Sequence, residues 1–264
     1  MTTRFSARNK VAIVGYAHST VQRHAPETLG ALALETARNA IADAGLQPGA
    51  VDGFVSSALL PSAGGHAAED GVSIVSSDWL AQHLGVQPRY SAGFSGIGQI
   101  TGSVAIAVNA IASGAADYVL LHRALHNPRR GGYHDNPMQQ ARGAQQWTAP
   151  QGFFGPLAMI ALPYNEYLQR YGARRESMAA VAVEARKNGA RIPWSYWHGK
   201  ELGRAEYLDA PTLFDPVCRF DCDIPVDGAA AFVLTSAERA QDLVHPPVYV
   251  SGYASSAPTH RRLP

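Results

Sequence analysis

The sequence predicts a layered α/β protein, and three features carry that prediction. Short apolar runs alternate with segments of helical periodicity along most of the chain. A helix of unusually high Ala, Val and Ile content, Gln99 to Ser113, stands between a small-residue elbow and a further apolar run. With 264 residues, 46% of them hydrophobic and only 16% charged, the chain is long and apolar enough to enclose such a helix between layers.

Val11 to Gly15 (VAIVG) reads as a strand buried on both faces, and Tyr16 to Pro26 as the loop after it. Glu27 to Ala44 sets Leu29, Leu32, Leu34, Ala37 and Ile41 near helical spacing, with Gly45 as its C-terminal cap. Val51 to Ser57 is a second strand, and Val72 to Leu84 a helix carrying Ile74, Trp79, Leu80 and Leu84 on or near one face. Tyr90 to Ile97 forms the elbow. The Gln99–Ser113 helix is so apolar that it is expected to be largely buried; Gly114 ends it, and Asp117 to Leu121 follows as a strand. From His122 to Pro156 the periodicity disappears, as in a long functional loop. Helices are expected again at Leu157–Tyr171 and Glu176–Asn188. Asp227–Thr235 then reads as a strand, Ala237–Leu243 as a short helix and Val248–Tyr253 as a last strand.

Composition excludes several classes. Twenty-two Lys+Arg against 21 Asp+Glu leave a formal charge of +1, too balanced for an electrostatic claim on nucleic acid. No apolar run approaches the roughly 18 residues needed to span a bilayer, and the N-terminus lacks the apolar core of a signal peptide. The two cysteines, Cys218 and Cys222, cannot build a disulfide framework, so a soluble, cytoplasmic setting is the expectation. Without companion ligands at metal-site spacing they are expected to be structural, and no metal is expected. The series Asp221, Asp223 and Asp227 lacks the closing Glu of a calcium loop and contains Pro225, so Asp227-Gly228 reads as a turn into a strand. His134-Asp135 reads as a solvated loop pair.

In order along the chain, VAIVGYAHS, ALETARNAIADAGLQPGAVDGFV, SAGFSGIGQITGSVAIAVNAIASGAADYVLL, CDIPVDGAAAFVLTSAERA and VYVSGYASS resemble the thiolase superfamily. The likeness is to its lipid-transfer and sterol-carrier-protein branch, which includes the steroid side-chain-cleaving aldolases. The resemblance implies the thiolase-like layered α-β-α-β-α fold, built from two similar halves. Residues 1–245 would be the N-terminal half, with a loop excursion over about 122–225, and residues 246–264 the start of a C-terminal half that is missing or truncated. A lone half is expected to leave an apolar partner surface near the Gln99–Ser113 helix or the sheet edge.

Thiolases place a nucleophilic Cys at the start of the buried helix, where the helix dipole favours the thiolate. Their Cys-Ala-Ser-Gly elbow is represented here by Gly93-Phe94-Ser95-Gly96, so the nucleophile-equivalent position is Gly93. Ser95 has no base placed beside it by local sequence and reads as a helix cap. Acyl-enzyme chemistry is therefore disfavoured, and the resemblance implies a retro-aldolase, a carbon–carbon lyase acting on a CoA-linked β-hydroxyacyl lipid or steroid side chain. The alternatives are an acetyl-CoA acetyltransferase or other thiolase, or a non-catalytic lipid-binding or scaffold subunit.

The acid and base of such a reaction are expected in the second half. Within this chain Tyr253, His260 and His122 are the polar candidates nearest strand ends, each also compatible with an ordinary core or surface role. By resemblance the excursion covers an acyl-CoA tunnel. Phe94, Trp147, Phe153 and Phe154 would line it, and Arg129, Arg130 and Arg142 would meet CoA phosphates, with core filling and solvent-facing arginines as the plainer alternatives. No covalently bound cofactor is expected, the CoA thioester being the substrate. The expected partners are a second copy in a homodimer and an acyl-CoA-binding or OB-fold subunit.

Overall fold

The computed structural model describes residues 5–56, 75–93, 99–125, 145–153, 155–224 and 226–254. In chain order its elements are β1 (Val11–His18), α1 (Leu29–Asp43), β2 (Gly53–Ser56), α2 (Ser77–Leu84), β3 (Tyr90–Gly93), α3 (Gln99–Ala112), β4 (Tyr118–Leu125), α4 (Gln145–Thr148), α5 (Gly155–Tyr171), α6 (Arg175–Ala190), α7 (Arg204–Asp209), β5 (Thr212–Phe214), β6 (Val217–Cys218), β7 (Gly228–Ser236) and β8 (Val248–Tyr249). They fall into two compact units, residues 1–130 with 226–257, and residues 131–225 with 258–264.

The first unit holds a six-stranded sheet in the order β3-β2-β4-β7-β1-β8. β2 lies parallel to both β3 and β4, whereas β7 runs antiparallel to β4 and β1, and β8 antiparallel to β1. α1 and α2 cover one face, where Leu29, Ala33, Ala37, Ile41 and Leu80 meet Val14, Phe54, Leu120 and Val233. α3 covers the other, with Ala107, Val108 and Ile111 against Val55, Val119, Leu121 and Leu234. Within this unit the layering is α-β-α, and the fold is the mixed α/β class expected from the chain's alternating pattern.

Local chemistry explains the helix limits. The Thr28 hydroxyl accepts a hydrogen bond from the Ala31 amide at the start of α1, and the Ser76 hydroxyl does the same for Trp79 in α2. Gly45 and Gly114, just beyond α1 and α3, take φ of +72° and +77°, a left-handed turn that a side chain would strain. α3 is less enclosed than its composition suggests: Ser103, Ala107, Val108, Ala110 and Ile111 are buried, but Thr101, Asn109 and Ala112 are exposed.

Several elements differ from expectation. β1 continues to His18 and β4 to Leu125, because β7 keeps pairing with both, through His18–Ala230 and Leu125–Gly228. Tyr16, His18, His122 and Arg123 are therefore strand residues, and the excursion begins later than residue 122. The first four residues of the elbow form β3, while 94–98 lie outside the described residues. The helix expected at Ala237–Leu243 is a 3₁₀ turn over Arg239–Asp242, and the last strand is only Val248–Tyr249.

In the second unit Ala179, Leu202, Tyr207, Ala210 and Cys218 form a small core around α6, α7 and the β5–β6 hairpin. Tyr207 donates its hydroxyl to Asp221, which also accepts the Cys218 amide at 2.8 Å. Arg186 stacks over Trp197 with its guanidinium carbon 3.3 Å from the ring centre.

Candidate active site

In an open sheet with parallel strands, the crevice beyond their carboxyl ends is where ligands bind. The parallel strands here are β2, β3 and β4, and their last in-register residues are Gly93, Ser56 and His122: Gly93 pairs with Ser56, and Ser56 with His122. A Cβ built on Gly93 would sit 3.4 Å from the Ser56 hydroxyl, so the side-chain direction of Gly93 and the Ser56 hydroxyl share one face. In-register neighbours on adjacent strands point the same way, which places His122 on that face too. Gly93 is exposed, Ser56 is buried, and the Ser56 carbonyl accepts the Ser103 hydroxyl of α3 at 3.5 Å.

His122 is only 2% exposed, and among the described residues neither ring nitrogen has a hydrogen-bond partner. Burial away from water pushes its pKa down to about 4, so the ring is neutral at pH 7. The other rim of the same strands is fully engaged. The Asp52 carbonyl accepts the amides of Arg89 and Tyr90, and its carboxylate accepts those of Asp117 and Tyr118 and pairs with Arg89 at 2.9 Å.

The remaining expected residues belong to one unit or the other or lie outside the described residues. Tyr253 is half-buried, stacks edge-on against Phe5 and donates its hydroxyl to Asn109 on α3. Trp147 is 73% exposed on α4 and Phe153 is half-buried. Phe94, Phe154, Arg129, Arg130, Arg142, His260, Ser95 and the His134-Asp135 pair lie outside the described residues. Cys218 is fully buried in the second unit's core, and the Cys222 thiol donates to the Cys218 carbonyl; burial and the Asp221 and Asp223 charges raise the Cys222 pKa, which suppresses the thiolate. Asp227 is buried, accepts the Ala25 amide at 2.6 Å and bridges to Gln22 ahead of β7, so it is extended backbone and not the expected turn. Among the described residues no group of His, Cys, Asp and Glu is arranged to hold a metal ion, and no helix is long and apolar enough to cross a membrane.

A cleft of about 410 Å³ in the second unit is lined by Val183, Lys187, Ala190, Arg191, Gly199, Glu201 and Leu202, none of them singled out from sequence. The sequence signal missed at the first unit's rim was register. Ser56 carries no motif, and only the pairing of β2 with β3 and β4 shows that it stands between Gly93 and His122.

This arrangement of sheet, covering helices and elbow is a thiolase-like fold. The solved Ltp2-ChsH2(DUF35) aldolase superposes with a TM-score of 0.76 at 28% identity, covering 94% of this chain and 61% of that one. No protein-family model matches. Among curated proteins, a steroid side-chain-cleaving aldolase of Thermomonospora curvata is 30% identical over 253 residues, and the 17-hydroxy-3-oxo-4-pregnene-20-carboxyl-CoA lyase of Mycobacterium tuberculosis is 29% identical over 253 residues. Both alignments cover 93% of this chain and 62% of the relative, so the chain spans about three fifths of their length. In fold and in sequence the chain is similar to proteins of the thiolase superfamily.

Proposed function

We propose that the chain is the nucleophile-free, N-terminal half of a thiolase-fold retro-aldolase that cleaves a CoA-linked β-hydroxyacyl lipid or steroid side chain. Residues 1–245 would form that half and residues 246–264 the start of the second. The carrying observation is that β3 ends in Gly93, which has no side chain; the elbow's resemblance to the Cys-Ala-Ser-Gly of thiolases supports reading it as the position of their nucleophilic thiol. Acyl transfer through a covalent thioester needs that thiol, whereas carbon–carbon cleavage does not. The names of the two curated relatives, an aldolase and a CoA lyase, support the same reaction.

In the proposed step a base takes the proton of the β-hydroxyl, the oxygen's electron pair forms a carbonyl, and the bond between the α and β carbons breaks. The bonding pair passes into the thioester as an enolate, and protonation of the α carbon releases a shortened acyl-CoA beside an aldehyde or ketone. No cofactor takes part in that balance. Phe94, Trp147, Phe153 and Phe154 would line the acyl body, with Arg129, Arg130 and Arg142 at the CoA phosphates. Tyr253 and His260 remain candidates for the acid–base groups that this chain contributes.

The structural relative's name joins two components, which supports a heteromeric partner; an OB-fold subunit and a homodimer, in the cytoplasm, complete the proposal. The test is to incubate the purified chain, alone and with a co-expressed partner subunit, with a β-hydroxyacyl-CoA and to measure acetyl-CoA or propionyl-CoA together with an equimolar carbonyl product. Acylation of the protein without carbonyl release would overturn the reading. Sedimentation at micromolar concentration checks the homodimer, which a stable monomer would exclude.

A further inference from the structure

The two ring nitrogens of His122 are the clearest unspent hydrogen-bonding capacity in the first unit. The side chain is 2% exposed and without partners among the described residues, while its strand neighbours Leu120 and Leu121 are fully buried in apolar cores on opposite faces of the sheet. A buried polar group left unpaired destabilises the fold, so a neutral imidazole held this way in a sheet calls for a missing partner. The register supplies its direction: His122 stands on the same face as the Ser56 hydroxyl and the open α-carbon of Gly93, two strands along. At the usual strand spacing that separates His122 and Gly93 by about 10 Å, a span that a short acyl chain crosses.

We propose that His122 is a substrate-contacting residue whose ring hydrogen-bonds the β-oxygen of an acyl thioester, a hydroxyl before cleavage and a carbonyl after it. A neutral imidazole offers one donor and one acceptor, which matches a hydroxyl and a carbonyl in turn and does not match a phosphate. Its depressed basicity suits holding that oxygen, not removing its proton. The inference rests on the acyl-thioester reading above and goes beyond it by assigning the recognition of the β-oxygen.

The test compares 3-hydroxybutyryl-CoA with butyryl-CoA by calorimetry on the full chain, its His122→Phe variant and its His122→Gln variant. The native chain is expected to favour the hydroxylated probe about tenfold or more. His122→Phe is expected to bind both probes alike, with its affinity for butyryl-CoA unchanged, and His122→Gln to retain part of the preference. Without ligand, His122→Phe is expected to melt at or above the native temperature, because it removes unpaired nitrogens; a fall of several degrees would mean that the ring has structural partners, and would overturn the proposal. Imidazole ¹⁵N resonances of the native chain give a measure that needs no variant: they are expected to shift with 3-hydroxybutyryl-CoA and not with butyryl-CoA. Equal affinities or equal shifts for the two probes overturn the role of His122 while leaving the acyl-thioester reading intact. Failure of the native chain to bind either probe overturns that reading, and this inference with it.

Discussion

At their amino ends the parallel strands β2, β3 and β4 are tied together by one residue, Asp52, whereas their carboxyl ends show few such bonds among the described residues. Asp52 gives its carbonyl to the amides of Arg89 and Tyr90, at 2.7 and 3.0 Å, and its carboxylate to those of Asp117 and Tyr118, at 2.9 and 2.8 Å. Thr235 then donates to the Asp117 carbonyl at 2.7 Å and Arg239 pairs with the Asp117 carboxylate, which extends the lattice to the end of β7. One aspartate thus holds four backbone amides at that rim. At the opposite rim stand a glycine without a side chain, a buried serine and a buried histidine without partners among the described residues. Among the described residues, the same strands thus concentrate polar satisfaction at one end and leave the His122 ring unpaired at the other, as expected where local rules are violated for a site and stability is secured elsewhere.

The largest expected effect breaks this comparison through acid. His122 has a native pKa near 4 against an unfolded value near 6.5, so between those values the unfolded chain binds the proton that the folded chain refuses. A depressed pKa of this kind contributes stability above about pH 6.5 that is lost as pH falls towards 4. Urea denaturation at pH 7.5 and pH 4.5 is expected to show the native chain losing about 2 to 3 kcal/mol more than His122→Phe. Equal acid losses in the two proteins would show that His122 is hydrated or paired, and the contrast between the rims would lapse.

The second effect is at the engaged rim. Asp52→Ala deletes charge-assisted acceptors for two backbone amides and the Arg89 partner, and is expected to lower stability by about 2 kcal/mol. Most of that loss belongs to the amides, because Arg89 is half exposed and an exposed ion pair contributes little. Thermal melting with Arg89→Ala as the control separates the two contributions: a loss as large in Arg89→Ala would locate the rim's strength in the ion pair instead.

How much of this was legible beforehand follows the same division. The amino-end elements follow hydrophobic pattern, and VAIVG, the α1 periodicity and the apolar α3 all fall where the sequence places them, as do the glycine caps at 45 and 114. The carboxyl ends were misjudged because their residues are polar. Tyr16 and His18 in β1, and His122 and Arg123 in β4, interrupt apolar runs and read as loop, and only pairing with β7 keeps them extended. α7 and the β5–β6 hairpin have six, three and two residues, too few for a period to emerge. Gly93 was identified through resemblance alone; its neighbours Ser56 and His122 became a group through register, which a single sequence does not display.

The smallest expected effect sharpens the comparison with one substitution made at both rims. Gly53 opens β2 at the engaged end, where an added Cβ would lie 2.8 Å from the Ala116 methyl and 2.8 Å from a Val119 methyl, closer than real side chains pack. Gly53→Ala therefore forces two buried residues to move and is expected to destabilise by about 1 to 2 kcal/mol. Gly93 closes β3 at the open end, where the nearest atom to an added Cβ is the Ser56 hydroxyl at 3.4 Å, an ordinary contact. Gly93→Ala is expected to change stability by no more than about 0.5 kcal/mol, and Gly93→Cys to fold equally well, since the contacts of the added Cβ with the Ser56 hydroxyl at 3.4 Å and the Ser56 carbonyl at 3.7 Å are ordinary ones. What Gly93→Cys should not do is collect an acyl group from acyl-CoA, because neither a basic side chain nor an activated thiol partner stands beside it among the described residues. Intact-mass measurement after incubation with acetyl-CoA decides the point: an acetyl adduct on the new thiol would show an activated nucleophile site at this rim and overturn the expectation.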